Sequence, residues 1–588
     1  MFKDGSHRQW INGRPVGINV SNLEEDEKHE IRKTTRDAGR AAVTLLKLAY
    51  LRALVELKKH RSTIHFLVLN APPPPNLERA FLDALASLAA PRLVLSIYRE
   101  SEPLMAAFLD RLVARVGPRI HGLELSSKKF TPVLLARLHA LKRLRVLQVT
   151  GMALSKADVI GIADIQSLRE LTLSSCKVSD KDLHPLSRAI RLRSIKFLGF
   201  SFQGSGLASL AKLPELRSLS LVGGRRDSAQ ILREVAKLKQ LRRFDWDMLT
   251  TDGFKKFLKP LVKLQSLFID RGRHDAEAWR QVAGLKDLRI LTFGVDSGVG
   301  PKPLAAMTSL KKLRALYLLV SGSTSAVEGH LGAMTALEAL VVPGVRFASI
   351  KKLTKLRWLF IGHLGDEGLQ HLSGLKRLER LQVGRYFGEN RGRRITGKGL
   401  AYLAGLKRLR WLSLPFGQIT DNALKRFPTL PGLRRLDLKS NHLKGATLGE
   451  LCRSPGLEIV QLHENRIEGR HLSQLATCLR LRRLELNKTP LNDLSGLARL
   501  RQVRTLDLSE TNFRGKQYAH LAGMTQLREL RLVGAFFDFD AAKALSRLTQ
   551  LKTLQVGALS DAGLPPYVQK PLRRALPNLR IRCPFACH

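Results

Sequence analysis

Three groups of residues have the types and spacing that could do chemistry. The string running from Gly392 through Thr396 and Gly397 to Lys398 fits a phosphate-cradling G-x-x-x-x-G-K loop, but Gly399 stands where a magnesium-binding Ser or Thr is needed. Cys583, Cys587 and His588 are close enough in sequence to share a metal ion, yet structural zinc normally takes four ligands and no fourth lies nearby. The third group contains neither nucleophile nor base. Trp358, Arg380 and Trp411 each occupy the third position of an L-x-x-L-x-L string, in three successive strings. An arginine between two indole rings can stack on both, which is chemistry for binding rather than catalysis. No H-E-x-x-H, G-x-S-x-G or kinase signature occurs. These residues describe a protein that is not an enzyme and that calls for no cofactor and no metal.

The elements that must position that third group are repeats. L-x-x-L-x-L begins at Leu144, Leu168, Leu192, Leu216 and Leu241 and recurs to Leu551, with Ile120 one period before the series. From Ile120 to Leu551 there are 431 residues and 18 intervals, a mean period of about 24. The L-x-L part alternates with period two, so it predicts a short strand with its leucines facing inward. Between strands the leucines fall three apart, as at Leu369, Leu372, Leu375 and Leu378, or Leu400, Leu403, Leu406 and Leu409. That spacing predicts the inner side of a short helix or 3₁₀ turn. Thr, Ser and Asp oxygens at VSDKDL (Asp180), LGDEGL (Asp366), ITDNAL (Asp421) and LSDAGL (Asp561) are placed to accept the free N–H groups of a first turn. No unit can bury its leucines alone, so neighbours must stack.

These strings resemble the leucine-rich-repeat superfamily, especially its bacterial and ribonuclease-inhibitor-like members with an I-T-D-x-G-L step, over roughly residues 61 to 582. The resemblance implies an α/β solenoid, a horseshoe with a parallel concave sheet and short convex helices or 3₁₀ turns. It implies a binding scaffold without saying what is bound. The family's asparagine, ninth in each unit, survives at Asn441 and Asn465, with Thr489, Thr511 and Cys176 as substitutes. Residues 1–60 read as an N-terminal helical cap and 61–118 as two longer strand–helix repeats. Residues 119–558 read as the array of about 24-residue units, and 559–588 as a C-terminal cap and tail.

Charge narrows the partner. There are 99 Lys and Arg against 50 Asp and Glu, a net +49, which favours an acidic partner. The third and fifth positions of each string should line the concave face, which gives Tyr317, Trp358, Phe360, Arg380 and Trp411 as a central aromatic–arginine patch. The interval from Leu378 to Leu409 is 31 residues, and its excess, a basic insertion, adds Arg385, Tyr386 and Arg393. Further on, the same positions turn mixed: Arg435, Asp437, Arg483, Glu485, Asp507, Glu529 and Arg531. Such a face is not a uniform polyanion groove, and an acidic protein partner is preferred.

Two other readings stay open. The second position is Arg in most strings, including Arg145, Arg169, Arg193, Arg217 and Arg242, and a rail of this kind could follow the phosphates of a nucleic acid or another polyanion. A substrate-recognition subunit of a ubiquitin-ligase complex, or a bacterial effector, would need an F-box-like segment, for which residues 23–60 are too short and too charged. No run of about 18 uncharged apolar residues occurs, so no membrane span is expected. Five cysteines, with Cys176, Cys452 and Cys478 far apart, make no disulfide framework and suggest a reducing, cytoplasmic setting.

Overall fold

The computed structural model describes residues 8–11, 14–19, 66–69, 75–87, 93–98, 102–126, 138–224, 229–246, 258–269, 276–295, 302–320, 328–342, 347–362, 364–384, 394–557 and 566–582. The chain divides into two compact units, Met1–Gly294 and Val295–His588. Each is a stack of short parallel strands joined by helical turns.

The first unit opens with an antiparallel hairpin, Arg8–Ile11 against Arg14–Asn19, whose second strand pairs in parallel with Phe66–Leu69. The rest of the helical cap expected over residues 1–60 lies outside the described residues. Every later strand pairs in parallel with the next, from Leu93–Tyr98 and Ile120–Ser126 through Ser194–Leu198 and Ser218–Val222 to Ser266–Ile269 and Ile290–Val295. The second unit repeats the pattern. Its strands include Ala315–Val320, Trp358–Ile361, Arg380–Val383, Trp411–Ser413, Arg435–Asp437, Ile459–Gln461, Arg483–Glu485 and Thr505–Asp507, ending at Arg580–Arg582.

Leucine sets the register. Leu359, Leu381, Leu412 and Leu436 stand opposite one another on successive strands, and all four are fully buried. Each such side chain contributes about 2 kcal/mol on leaving water. On the far side of the sheet the three-residue leucine spacing forms the helix Asp366–Leu372 and the 3₁₀ segments Leu448–Arg453, Gly469–Thr477, Ser495–Arg499 and Gly515–Gly523. A 3₁₀ helix has three residues per turn, so every third leucine falls on its inner side.

The aspartates act differently from expectation. Ser179 does cap its own turn, accepting from the Asp182 N–H. Asp180 instead reaches one repeat onward and accepts from the backbone N–H groups of Gln203, Gly204 and Gly206. Asp421 does the same with Lys444, Gly445 and Thr447, and Asp366 accepts from the N–H and hydroxyl of Thr396. They tie repeats together rather than start helices. Asp561 lies outside the described residues.

The cysteines also depart from expectation. Cys452 and Cys478 form a disulfide with their Cα atoms 4.6 Å apart. Their separation of 26 residues is close to one repeat, which places them on adjacent rungs. Cytosolic thiols would hold this bond reduced, so it weighs against the cytoplasmic setting suggested by the cysteine count. Among the described residues no helix is long and apolar enough to cross a membrane. Nor could any group of three or more His, Cys, Asp and Glu among them hold a metal ion. Cys583, Cys587 and His588 lie outside them.

Candidate partner-binding face

Because the fourth and sixth residues of each string point into the core, the third and fifth face outward from the sheet. Parallel pairing brings Trp358, Arg380, Trp411 and Arg435 into one row across four strands. Tyr317 packs edge-on against Trp358 with ring centroids 5.8 Å apart, and its partial burial raises its phenol pKa. The Trp358 indole donates to Gln382 Oε1 at 3.1 Å. Phe360 leans over the end of the next strand. A Cβ on Gly384 would meet the Phe360 ring at 2.2 Å, so only glycine admits it there.

The stacking order differs from the expected one. Among the described residues Arg380 reaches only Trp411, with its guanidinium carbon 5.9 Å from the ring centroid, while Arg435 lies closer over the same ring at 4.4 Å. Trp411 is thus flanked by two arginines, where the sequence suggested one arginine between two tryptophans. The reason is Gln382, which holds the Trp358 indole by its N–H. The Trp411 N–H is buried and has no hydrogen-bond partner among the described residues. Arg385, Tyr386 and Arg393 of the insertion lie outside the described residues.

Beyond Trp411 the face becomes a chain of internal bonds. Ser413 donates to Asp437 at 2.7 Å, and Arg435 places two nitrogens on Gln461 Oε1 at 2.9 and 3.1 Å. The Gln461 amide donates to Glu485, which also accepts from Arg483 at 2.6 Å. Arg531 pairs with Glu529 at 2.9 Å and stands 3.8 Å from Asp507. Burial works against the charge of Glu485, but the bond from Gln461 and the charge of Arg483 outweigh it, so its pKa is lowered.

Behind the strands runs a ladder that decides the architecture. The Asn441 amide accepts from the Ile419 N–H of the preceding repeat and donates to the carbonyls of Leu414 and Leu438. Asn465 repeats this one rung on, accepting from Leu443 and donating to Leu438 and Leu462. Stacked parallel strands with this ladder make a leucine-rich-repeat fold. Cys176 fills the same position, buried, with its thiol toward the carbonyls of Val149 and Ser174 and its pKa raised by burial. Thr511 donates to Leu508. The Thr489 hydroxyl, on the same kind of side chain, finds no partner among the described residues, so there the substitute fills space without a side-chain bond.

A scan against protein-family models finds no match, and a search of curated proteins finds none. Among solved structures, this chain is similar to an internalin of Listeria monocytogenes. That match has 19 % identity and a TM-score of 0.34, over 64 % of this chain and 89 % of that one. It is also similar to a leucine-rich-repeat protein of Leptospira interrogans, at 17 % identity and a TM-score of 0.42, over 72 % of this chain and 98 % of that one. A third is a TLR13–ssRNA13 complex, at 16 % identity and a TM-score of 0.46, over 76 % of this chain and 82 % of that one.

The phosphate-loop string is part of the repeat. Thr396 caps the short helix Gly397–Ala401, and a Cβ on Gly399 would lie 2.0 Å from Asp366 Oδ1. A carboxylate occupies the place a phosphate would need. The sequence reading missed Gln461 as a hub, because its importance comes from neighbours 24 and 26 residues away. Its fifth-position register was the available signal.

Proposed function

We propose that this leucine-rich-repeat chain is a non-catalytic binding scaffold whose strand face around Trp411 takes a carboxylate-rich protein segment. Trp411 carries the reading: its ring is flanked by two guanidinium groups and its buried N–H has no acceptor among the described residues. An orphaned buried donor costs about 1–3 kcal/mol. A partner carboxylate that draws Arg435 aside would uncover the indole N–H and accept from it, recovering that cost. Arg380 has no carboxylate partner among the described residues and offers a second contact. Tyr317, Trp358 and Phe360 would supply apolar area beside it, and Arg385, Tyr386 and Arg393 of the insertion are further candidate contacts. The net charge of +49 would speed encounter.

A glutamate-rich peptide titrated against the full chain, read by tryptophan fluorescence and calorimetry, tests this. Trp411→Ala is expected to weaken binding about 30-fold, in the range of a hot-spot residue. Trp358→Ala should cost less, since its indole is already satisfied by Gln382. Unchanged affinity in Trp411→Ala would remove the patch from consideration.

A further inference from the structure

One edge of the first unit's sheet carries a row of arginines that the acidic-partner reading does not use. Arg145, Arg169, Arg193, Arg217 and Arg242 sit on five consecutive rungs. Each backbone N–H bonds to the carbonyl of the arginine before it: Arg169 to Arg145, Arg193 to Arg169, Arg217 to Arg193 and Arg242 to Arg217, at 2.7–2.9 Å. With strands about 4.8 Å apart, the row is about 19 Å long. Of the five, only Arg193 has a carboxylate partner among the described residues, Glu215 at 2.8 Å.

Two of these side chains are already held in place. One terminal nitrogen of Arg169 donates to the carbonyls of Ser167 and Leu168, and one of Arg217 donates to those of Pro214 and Leu216. Their other guanidinium N–H groups remain for a ligand, and the ordering entropy of the side chain has been met in the free protein. Burial lowers the pKa of Arg169 against the opposing pull of Glu215, and the charges of Arg191, Arg193 and Arg145 add smaller contributions in the same direction as burial.

Beside the row the open face is small and polar. Ser194 and Ser218 follow Arg193 and Arg217 directly, and Thr172, Lys196 and Ser220 lie two residues further along their strands. Across these five strands the outward third and fifth positions hold no aromatic side chain; the acids among them are Glu170, exposed beside Arg169, and Asp245, which Arg243 holds.

We propose that this edge binds the phosphodiester backbone of single-stranded nucleic acid without reading its sequence. Guanidinium forks match phosphate geometry, and the hydroxyl row adds donors for phosphate oxygens. A straight row suits a flexible single strand, which can follow it, whereas a duplex backbone winds away. The lack of outward aromatics leaves no platform for base stacking, so affinity should come from phosphates and be sensitive to salt.

The test is fluorescence anisotropy of the full chain with a labelled oligothymidylate of about 15 nucleotides, within the usual span of single-strand sites. Four guanidiniums without carboxylate partners should give a log–log salt slope of about −3. Arg169→Gln with Arg217→Gln should roughly halve that slope and weaken binding at least about ten-fold at low salt. Arg504→Gln with Arg528→Gln, the same charge removed from the second unit, should change affinity less than about two-fold. Arg169→Lys with Arg217→Lys keeps the charge and should fall between wild type and the Gln pair. If the Gln pair does not melt cooperatively, the wild-type slope and the Lys pair decide. A flat salt response, equal loss from the two Gln pairs, or equal binding of a duplex of the same length overturns the proposal. Trp411→Ala should leave oligonucleotide binding unchanged, so this site and the acidic-partner patch stand or fall separately.

Discussion

Two arginine–carboxylate pairs, one in each unit, share a sequence pattern and behave in opposite ways. Arg243 and Asp245 occupy the third and fifth positions of one first-unit strand, and Arg483 and Glu485 those of one second-unit strand. The carboxylate side chains are equally shielded, 11 % and 12 % exposed. Yet the pKa of Asp245 is raised, by burial that Arg243 and Lys196 only partly offset, whereas that of Glu485 is lowered. The difference lies on the flanking strands. Asp245 stands between Ser220 and Phe268, and Glu485 between Gln461 and Asp507. Gln461 donates to Glu485, while no hydrogen bond to Asp245 from the strands beside it is seen among the described residues. A repeat fixes where a side chain stands. Its neighbours one period away decide what state it holds.

The largest expected effect comes from breaking that lateral support. Gln461→Leu removes the acceptor of Arg435 and a donor to Glu485, bonds to charged groups worth about 1.5–3 kcal/mol each, so a loss of about 3–6 kcal/mol is expected in denaturant unfolding. Ser220→Ala, at the equivalent position beside Asp245, should change stability by less than about 0.5 kcal/mol. Equal costs would mean that the ladder around Gln461 adds nothing beyond packing.

Acid should separate the two units next. The raised pKa of Asp245 means that its charged form is disfavoured in the folded state, a penalty relieved as pH falls through the folded pKa toward the unfolded value of about 3.9. The lowered pKa of Glu485 contributes stability that is present above the unfolded value of about 4.3 and is lost as pH falls through the folded pKa. Hydrogen exchange around strand Arg243–Trp246 should therefore slow or hold, after correction for intrinsic rates, as pH drops from 7 toward about 4. Around strand Arg483–Glu485 protection should hold over that window and fall only below it. Asp245→Asn and Glu485→Gln should each abolish the response of its own region; a response that survives in either would assign it to other groups.

These cases also show what could be read from sequence. The repeat, its strands and its three-residue leucine spacing were legible because each leucine reports its own burial through a short period. Trp358, Arg380 and Trp411 could be placed in one row from register alone. Their pairing could not, since it depended on Gln382 taking the Trp358 indole and on Arg435 arriving from a fourth strand. Asp180 and Asp421 looked like helix caps because Ser, Thr and Asp before a helix usually are. Their partners lie 23 to 26 residues ahead, beyond the reach of a local motif. Cys452 and Cys478 were judged distant for the same reason, although 26 residues is nearly one rung.

The smallest expected effect concerns the backbone, where the units again differ. The eighth residue of each string turns the chain out of its strand with a positive φ. In the first unit this residue is usually glycine: Gly151 at 73°, Gly199 at 66° and Gly223 at 76°. In the second it is usually a residue with a side chain: Phe416 at 58°, Ser440 at 52°, Glu464 at 58°, Lys488 at 57° and Glu510 at 55°; Gly534 at 75° is the second unit's exception and Ser175 at 50° the first unit's. A side chain there costs about 1–2 kcal/mol, while glycine loses about 0.5–1 kcal/mol more in backbone entropy on folding. Lys488→Gly should accordingly raise stability by about 0.5 kcal/mol, since the salt bridge it gives up, to Glu510 at 3.8 Å, is exposed and weak. Gly223→Ala should lower it by about 1 kcal/mol. A Cβ there would press to 3.1 Å from the Gly199 nitrogen as well as incurring the left-handed strain. Matched urea titrations of the two variants compare the turns directly. If Lys488→Gly destabilises, the second unit's turns are held by their side chains, and the contrast between glycine-built and side-chain-built turns becomes larger than strain alone accounts for.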